Sequence, residues 1–269
     1  MKIITPMPRS LLMRWMTTAA LSVALLLGAS IMANADEADA KRIFKAMSDY
    51  MASQKAISFA FDATLEIVTI DEQKLGLASS GSLVLNRPDK IHVARTGGFT
   101  DVEMFFDGKT MTLLGKNLNV YTQVDIPGNI DHLVNELKDT YGRPLPAADL
   151  MLSHPYDEMM GEVVDVKDLG SGVVGGIVCD HLAFRTADVD WQIWIAQGDA
   201  PYPCRYVITS KGIQGGPQYT VQLRDWQAGD GVAATDFRFK NTTTADKVEL
   251  TELKGAEELP EHFRLGGTE

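Results

Sequence analysis

Apolar residues in the first half of the chain change period once, and that change sets the expected architecture. Ile43, Phe44, Met47, Tyr50 and Met51 fall on one stripe of a helix over Asp36–Gln54. From Ile57 the apolar positions alternate: Ile57, Phe59, Phe61, Ala63, Leu65 and Ile67, with Ser58, Asp62, Thr64 and Glu66 between them. Alternation at period two predicts a long strand with one buried face.

Short strands separated by turn residues are expected next: Leu83–Asn86, Ile91–Arg95, a run with Val102, Met104 and Phe106, then Met111–Leu114 and Asn119–Val124. Asp107-Gly108 is a hairpin signal, and connections this short favour antiparallel neighbours. Asn129–Tyr141 returns to helical spacing through Ile130, Leu133, Val134 and Leu137, and Arg143–Gly161 suits one or two helical turns. Strands resume at Glu162–Asp168, Ile177–Thr186, Val189–Ala196, Arg205–Lys211 and Gln218–Trp226, with shorter ones expected at Thr235–Lys240 and Val248–Glu252.

This order predicts an α+β fold: one antiparallel sheet of about ten or eleven strands, too long to stay flat, curling as an open half-barrel around helices. No Ser-, Gly- or Pro-rich linker divides the chain, so 36–254 reads as a single domain and 255–269 as a loose tail.

Met1–Ala35 has a different character. Lys2, Arg9 and Arg14 precede the apolar run Thr17–Ile31, and Ala33-Asn34-Ala35 has the small-x-small pattern of a cleavage site. The expectation is an export signal cut after Ala35 and a periplasmic mature chain. Removing three basic residues takes the formal charge from −11 to −14, which excludes a general attraction to nucleic acid.

Export gives the two cysteines a meaning. An even pair in an oxidising compartment reads first as a disulfide, Cys179 to Cys204; a nucleophilic Cys179 beside His181 is the weaker reading.

Other chemistry is sparse. Gly170, Gly172 and Gly175 have dinucleotide-loop spacing, but a strand follows them where that motif needs a helix, so the loop reads as a hairpin connection. The five histidines form no metal-binding spacing and no G-x-S-x-G elbow occurs, so neither a metal, nor a cofactor, nor a catalytic residue is assigned. Two Trp, two Tyr, a Phe, two Arg and a His fall between Cys179 and Tyr206. Asp190 is placed to pair with Arg185 or Arg205, a structural cross-strand network rather than a catalytic group. The apolar alternation points instead to a greasy concave face carrying Phe59, Phe61, Leu65, Leu83, Leu85, Met104, Phe106 and Trp191. It forms a lipid-holding cavity if the helices cover it loosely.

The run Cys179-Asp180-His181-Leu182-Ala183-Phe184-Arg185, with Asp190-Trp191-Gln192-Ile193-Trp194 and Pro201-Tyr202-Pro203, resembles the predicted periplasmic family called domain of unknown function 2092. Asn86-Arg87-Pro88-Asp89-Lys90 and Asp107-Gly108-Lys109-Thr110 are similar to its turns, and the likeness covers roughly Arg42 to Leu250. That family in turn resembles the lipoprotein-carrier superfamily of LolA, LolB, LppX and the RseB sensor domain. The resemblance implies an open half-barrel with helices across its concave side, and non-covalent sequestration of acyl chains or lipopeptides. The first functional expectation is therefore a carrier of a hydrophobic ligand or lipoprotein acyl chains. The alternative is an envelope sensor that binds a protein partner. An enzyme using Asp180, His181 or Asp190 ranks last.

Overall fold

The computed structural model describes residues 36–142, 145 and 147–250; the expected leader, its cleavage site and the expected tail lie outside them. Helix α1 spans 36–53. Its polar side is laced by one-turn ion pairs, Lys41 to Glu37 at 2.6 Å and Lys45 to Asp49 at 2.7 Å, so its apolar stripe faces the protein.

Among the described residues twelve strands form one open sheet: β1 (Ala56–Val68), β2 (Lys74–Asn86), β3 (Lys90–Gly97), β4 (Asp101–Phe106), β5 (Thr110–Gly115), β6 (Val120–Asp125), β7 (Asp165–Val174), β8 (Ile177–Arg185), β9 (Val189–Ala196), β10 (Pro203–Ser210), β11 (Gln218–Ala228) and β12 (Asp246–Lys247). The order across the sheet is β12-β6-β5-β4-β3-β2-β1-β11-β10-β9-β8-β7. Two antiparallel meanders, β1–β6 and β7–β11, are joined where β1 pairs antiparallel with β11. The architecture is a single open, mostly antiparallel sheet with helices across one face, and the described residues carry more strands than the ten or eleven expected.

Topology explains why helices lie on the sheet. β6 and β7 are near opposite edges, so the chain between them must cross the whole width. That crossing carries helix α2 (Ile130–Asp139), a 3₁₀ turn (Ala148–Met151) and helix α3 (Pro155–Met160). The Asn129 side chain caps α2 by accepting from the His132 N–H at 2.9 Å, and Leu133, Val134 and Leu137 face inward as their spacing predicts. α3 is tied to α1 by the Tyr156 N–H donating to Ser48 Oγ at 2.9 Å.

Local departures have local causes. β2 begins nine residues before the expected Leu83, because β1 supplies partners along the Gly- and Ser-rich segment as far as Lys74. Cross-strand pairing overrides weak propensity there. The glycine segment expected to be a loop is itself strand: β7 runs through Gly170-Ser171-Gly172, bulges between Asp168 and Ser171, and turns at Gly175-Gly176, φ +58° and +86°. The strand expected at Thr235–Lys240 does not form. The last strand is only Asp246–Lys247, parallel to β6.

Candidate hydrophobic hollow

The two halves of the concave face are filled differently. Over β8–β10, α1 packs tightly: the Phe44 ring lies 5.2 Å from Phe184 and 5.3 Å from Trp191, and Met47 and Met51 are fully buried beside it. Trp191 stacks on Phe184 at 3.8 Å and meets Tyr206 edge-on at 5.8 Å. Expected as cavity lining, Trp191 is instead the centre of an aromatic core, because α1 brings Phe44 down onto it.

Over β1–β5 the register sets the side chains out in rows. Ile57, Leu85, Ile91, Phe106 and Met111 are successive cross-strand partners and form the floor. Phe59, Leu83, Val93, Met104 and Leu113 form the next row. Above it come Phe61, Gly81, Arg95 and Val102. Leu65 and its β11 partner Tyr219 stand outermost, with Leu65 44% exposed at the rim.

Between the upper rows and the helical cover is a hollow of about 350 Å³. Its roof is the Leu133–Val134–Leu137 face of α2 with Leu150 and Met151 of the 3₁₀ turn. Of the eight residues expected to line it, Phe59, Phe61, Leu65, Leu83 and Met104 do so. Leu85 and Phe106 do not: both are fully buried in the floor row, whose other members Ile91 and Met111 reach the hollow. Glycine is required at Gly81, since a Cβ there would sit 2.4 Å from the Phe61 ring and 2.2 Å from the Ala94 carbonyl oxygen.

Arg95 and Tyr219 are polar groups in this lining that composition alone did not single out. A signal was present for Arg95, because strict alternation with Ile91 and Val93 puts it on the apolar face. Tyr219 carried the same signal, since it alternates with Val221 and Leu223 along β11.

The second meander carries the remaining expected residues. Asp190 binds Arg185 through two hydrogen bonds of 2.7 Å, and the guanidinium beside it lowers the Asp190 pKa from its usual range. Arg205 does not join that pair; its guanidinium lies 5.3 Å from the Trp194 ring centre. His181 stacks on Trp194 at 4.0 Å and contacts Gln192 Oε1 through Nε2 at 2.9 Å, while Asp180 accepts from Gln197 Nε2 at 2.6 Å. Each group raised as an enzyme candidate therefore has a structural partner.

The expected disulfide is not formed. Cys179 and Cys204 are brought together, but as two buried thiols with sulfurs 2.9 Å apart, beyond the ~2.05 Å of a covalent bond. Burial raises both thiol pKa values, so neither is poised as a thiolate nucleophile. Among the described residues no cluster of three metal-ligating side chains occurs, and no helix is long and apolar enough to cross a membrane.

Comparison with known proteins adds a family. The profile of the predicted periplasmic protein family DUF2092 matches residues 40–251. The structure is similar to MucB of Pseudomonas aeruginosa in its complex with MucA, at 12% identity and TM-score 0.43, covering 72% of this chain and 59% of that one. It is also similar to the Mycobacterium tuberculosis lipoprotein LppX, at 11% identity and TM-score 0.37, covering 73% of this chain and 98% of that one. A LolA superfamily protein from Nitrosomonas europaea matches at 10% identity and TM-score 0.33, covering 71% of this chain and 94% of that one. Among curated proteins none matches the sequence.

Proposed function

The chain belongs to the predicted periplasmic protein family DUF2092, and from that premise we propose a non-enzymatic carrier or binding protein that holds an acyl chain in its hollow. The observation carrying this reading is the contrast between the two halves of one concave face: packed solid under α1, left open under α2. Folding normally closes such space, because interiors reach crystal-like density and unfilled volume costs stability. An apolar hollow of about 350 Å³ lies within the ~300–1,000 Å³ range of small-molecule sites. Transfer of an acyl chain into it contributes about 0.8 kcal/mol per buried CH₂, so a partial chain already binds measurably.

The test is displacement of a fluorescent apolar probe by a fatty acid, in the wild-type protein and in Val93→Phe. Val93 is a hollow-lining residue of β3, and the larger ring fills the space the chain would take. Saturable binding by wild type and its loss in a folded Val93→Phe protein support the proposal; a wild type that binds neither probe nor fatty acid refutes it.

A second reading rests on a separate observation. β7 is an outer strand of the sheet, and the β7–β8 hairpin with its entry carries exposed Val164, Leu169, Val173 and Val178, with Val164 75% exposed. An apolar strand with one unpaired edge is a surface for adding a partner strand. On this reading the protein is an envelope sensor or interaction module. Crosslinking in intact envelopes distinguishes the two: one stoichiometric membrane protein, lost in Val173→Lys, favours the sensor.

A further inference from the structure

Arg95 is the most unusual residue of the hollow. It follows Ile91 and Val93 on the inward face of β3, and it lies across Gly81 from Phe61, two rows inside the rim residue Leu65. Its Nε is buried with no hydrogen-bond partner, and among the described residues no carboxylate pairs with its guanidinium. A buried donor left without a partner in an apolar lining is costly, so the fold carries a group here that its own packing does not use. The Tyr219 phenol lines the same hollow, close enough to feel the Arg95 charge; burial raises its pKa, so it remains a neutral O–H donor. The rest of the protein repels anions, with a formal charge of −11. Attraction for an anion here is therefore local.

We propose that Arg95 is the head-group anchor of the hollow, which takes a single acyl chain ending in an anionic head, carboxylate or phosphate. This rests on the acyl-chain reading above and narrows it. The head binds Arg95 near the rim, with Tyr219 as a second donor, and the chain runs inward over Val93 and Met104 under α2. A volume of about 350 Å³ near the lower limit of small-molecule sites suits one chain rather than two or three. A guanidinium binds either head by paired, charge-assisted hydrogen bonds, which are stronger than neutral ones.

The experiment measures displacement of an uncharged apolar probe by palmitate, hexadecyl phosphate and hexadecanol, in the full chain and in Arg95→Met. Wild type is expected to bind at least one anion about tenfold or more tighter than the alcohol. The tighter of the two identifies the head. Arg95→Met should bind all three alike, with the alcohol at its wild-type affinity. It should also melt no lower than wild type, since a partnerless charge has been removed. Equal binding of anions and alcohol by wild type, or an anion preference surviving in Arg95→Met, overturns the anchor while leaving the acyl-chain reading standing. Failure of all three ligands to displace the probe overturns both.

Discussion

Substitutions at two neighbouring sets of apolar side chains should have opposite consequences. Phe44 and Trp191 touch in a packed core, so Phe44→Ala removes contacts on three rings and leaves a void. Urea unfolding should show a loss of about 3–5 kcal/mol, typical of an aromatic-to-alanine change in a core. Val93→Phe adds volume where space exists, so its unfolding midpoint should match or exceed that of wild type. His92 gives a third prediction at this scale. It stacks on Phe105 at 4.3 Å, and burial lowers its pKa from 6.5, partly opposed by Glu103. The unfolded state then takes up the proton first. Stability attributable to His92 is full above pH 6.5 and is lost as pH falls toward the folded pKa. Urea midpoints of wild type should drop between about pH 7.5 and pH 5, and those of His92→Gln should drop less over the same range. Equal drops would mean that the imidazole is not the group responsible.

Elements were legible where periodicity was local. The switch from the α1 stripe to the β1 alternation, the Asp107-Gly108 turn and the four apolar positions of α2 all lie within one segment, and each formed as read. Asp107 Oδ1 accepts from the Lys109 and Thr110 N–H groups at 3.0 and 2.9 Å, which is why that dipeptide marks the hairpin. Segments whose conformation depends on a distant partner were not legible. The first half of β2 has little strand propensity and is ordered by β1. Leu85 and Trp191 share the apolar face with Leu83, yet only the placement of the helices decides which of them meets empty space. The cysteines were read from the compartment, and their separation into two thiols depends on the geometry of β8 and β10. At this scale the α2 cap is the point to probe: Asn129→Ala removes the side-chain acceptor for the His132 N–H and should cost about 1 kcal/mol in urea unfolding. Because α2 roofs the hollow, the same variant should release a bound chain faster, measured by stopped-flow displacement.

For the whole molecule, one sheet does two jobs because its two meanders are covered by different helices. β1 and β11 join the meanders, so the packed half under α1 gives the open half a rigid wall without filling it. A carrier benefits from that arrangement, since the cost of unfilled volume is confined to one region and the rest of the core supports it. Carrier function requires that the space beneath α2 be occupied by an acyl chain in the working protein. Native mass spectrometry of the protein purified from periplasm under non-denaturing conditions tests it most directly. A mass excess corresponding to a single-chain lipid is expected in wild type and not in Val93→Phe. Wild-type protein at its bare polypeptide mass, which stays so after incubation with fatty acid, would contradict it.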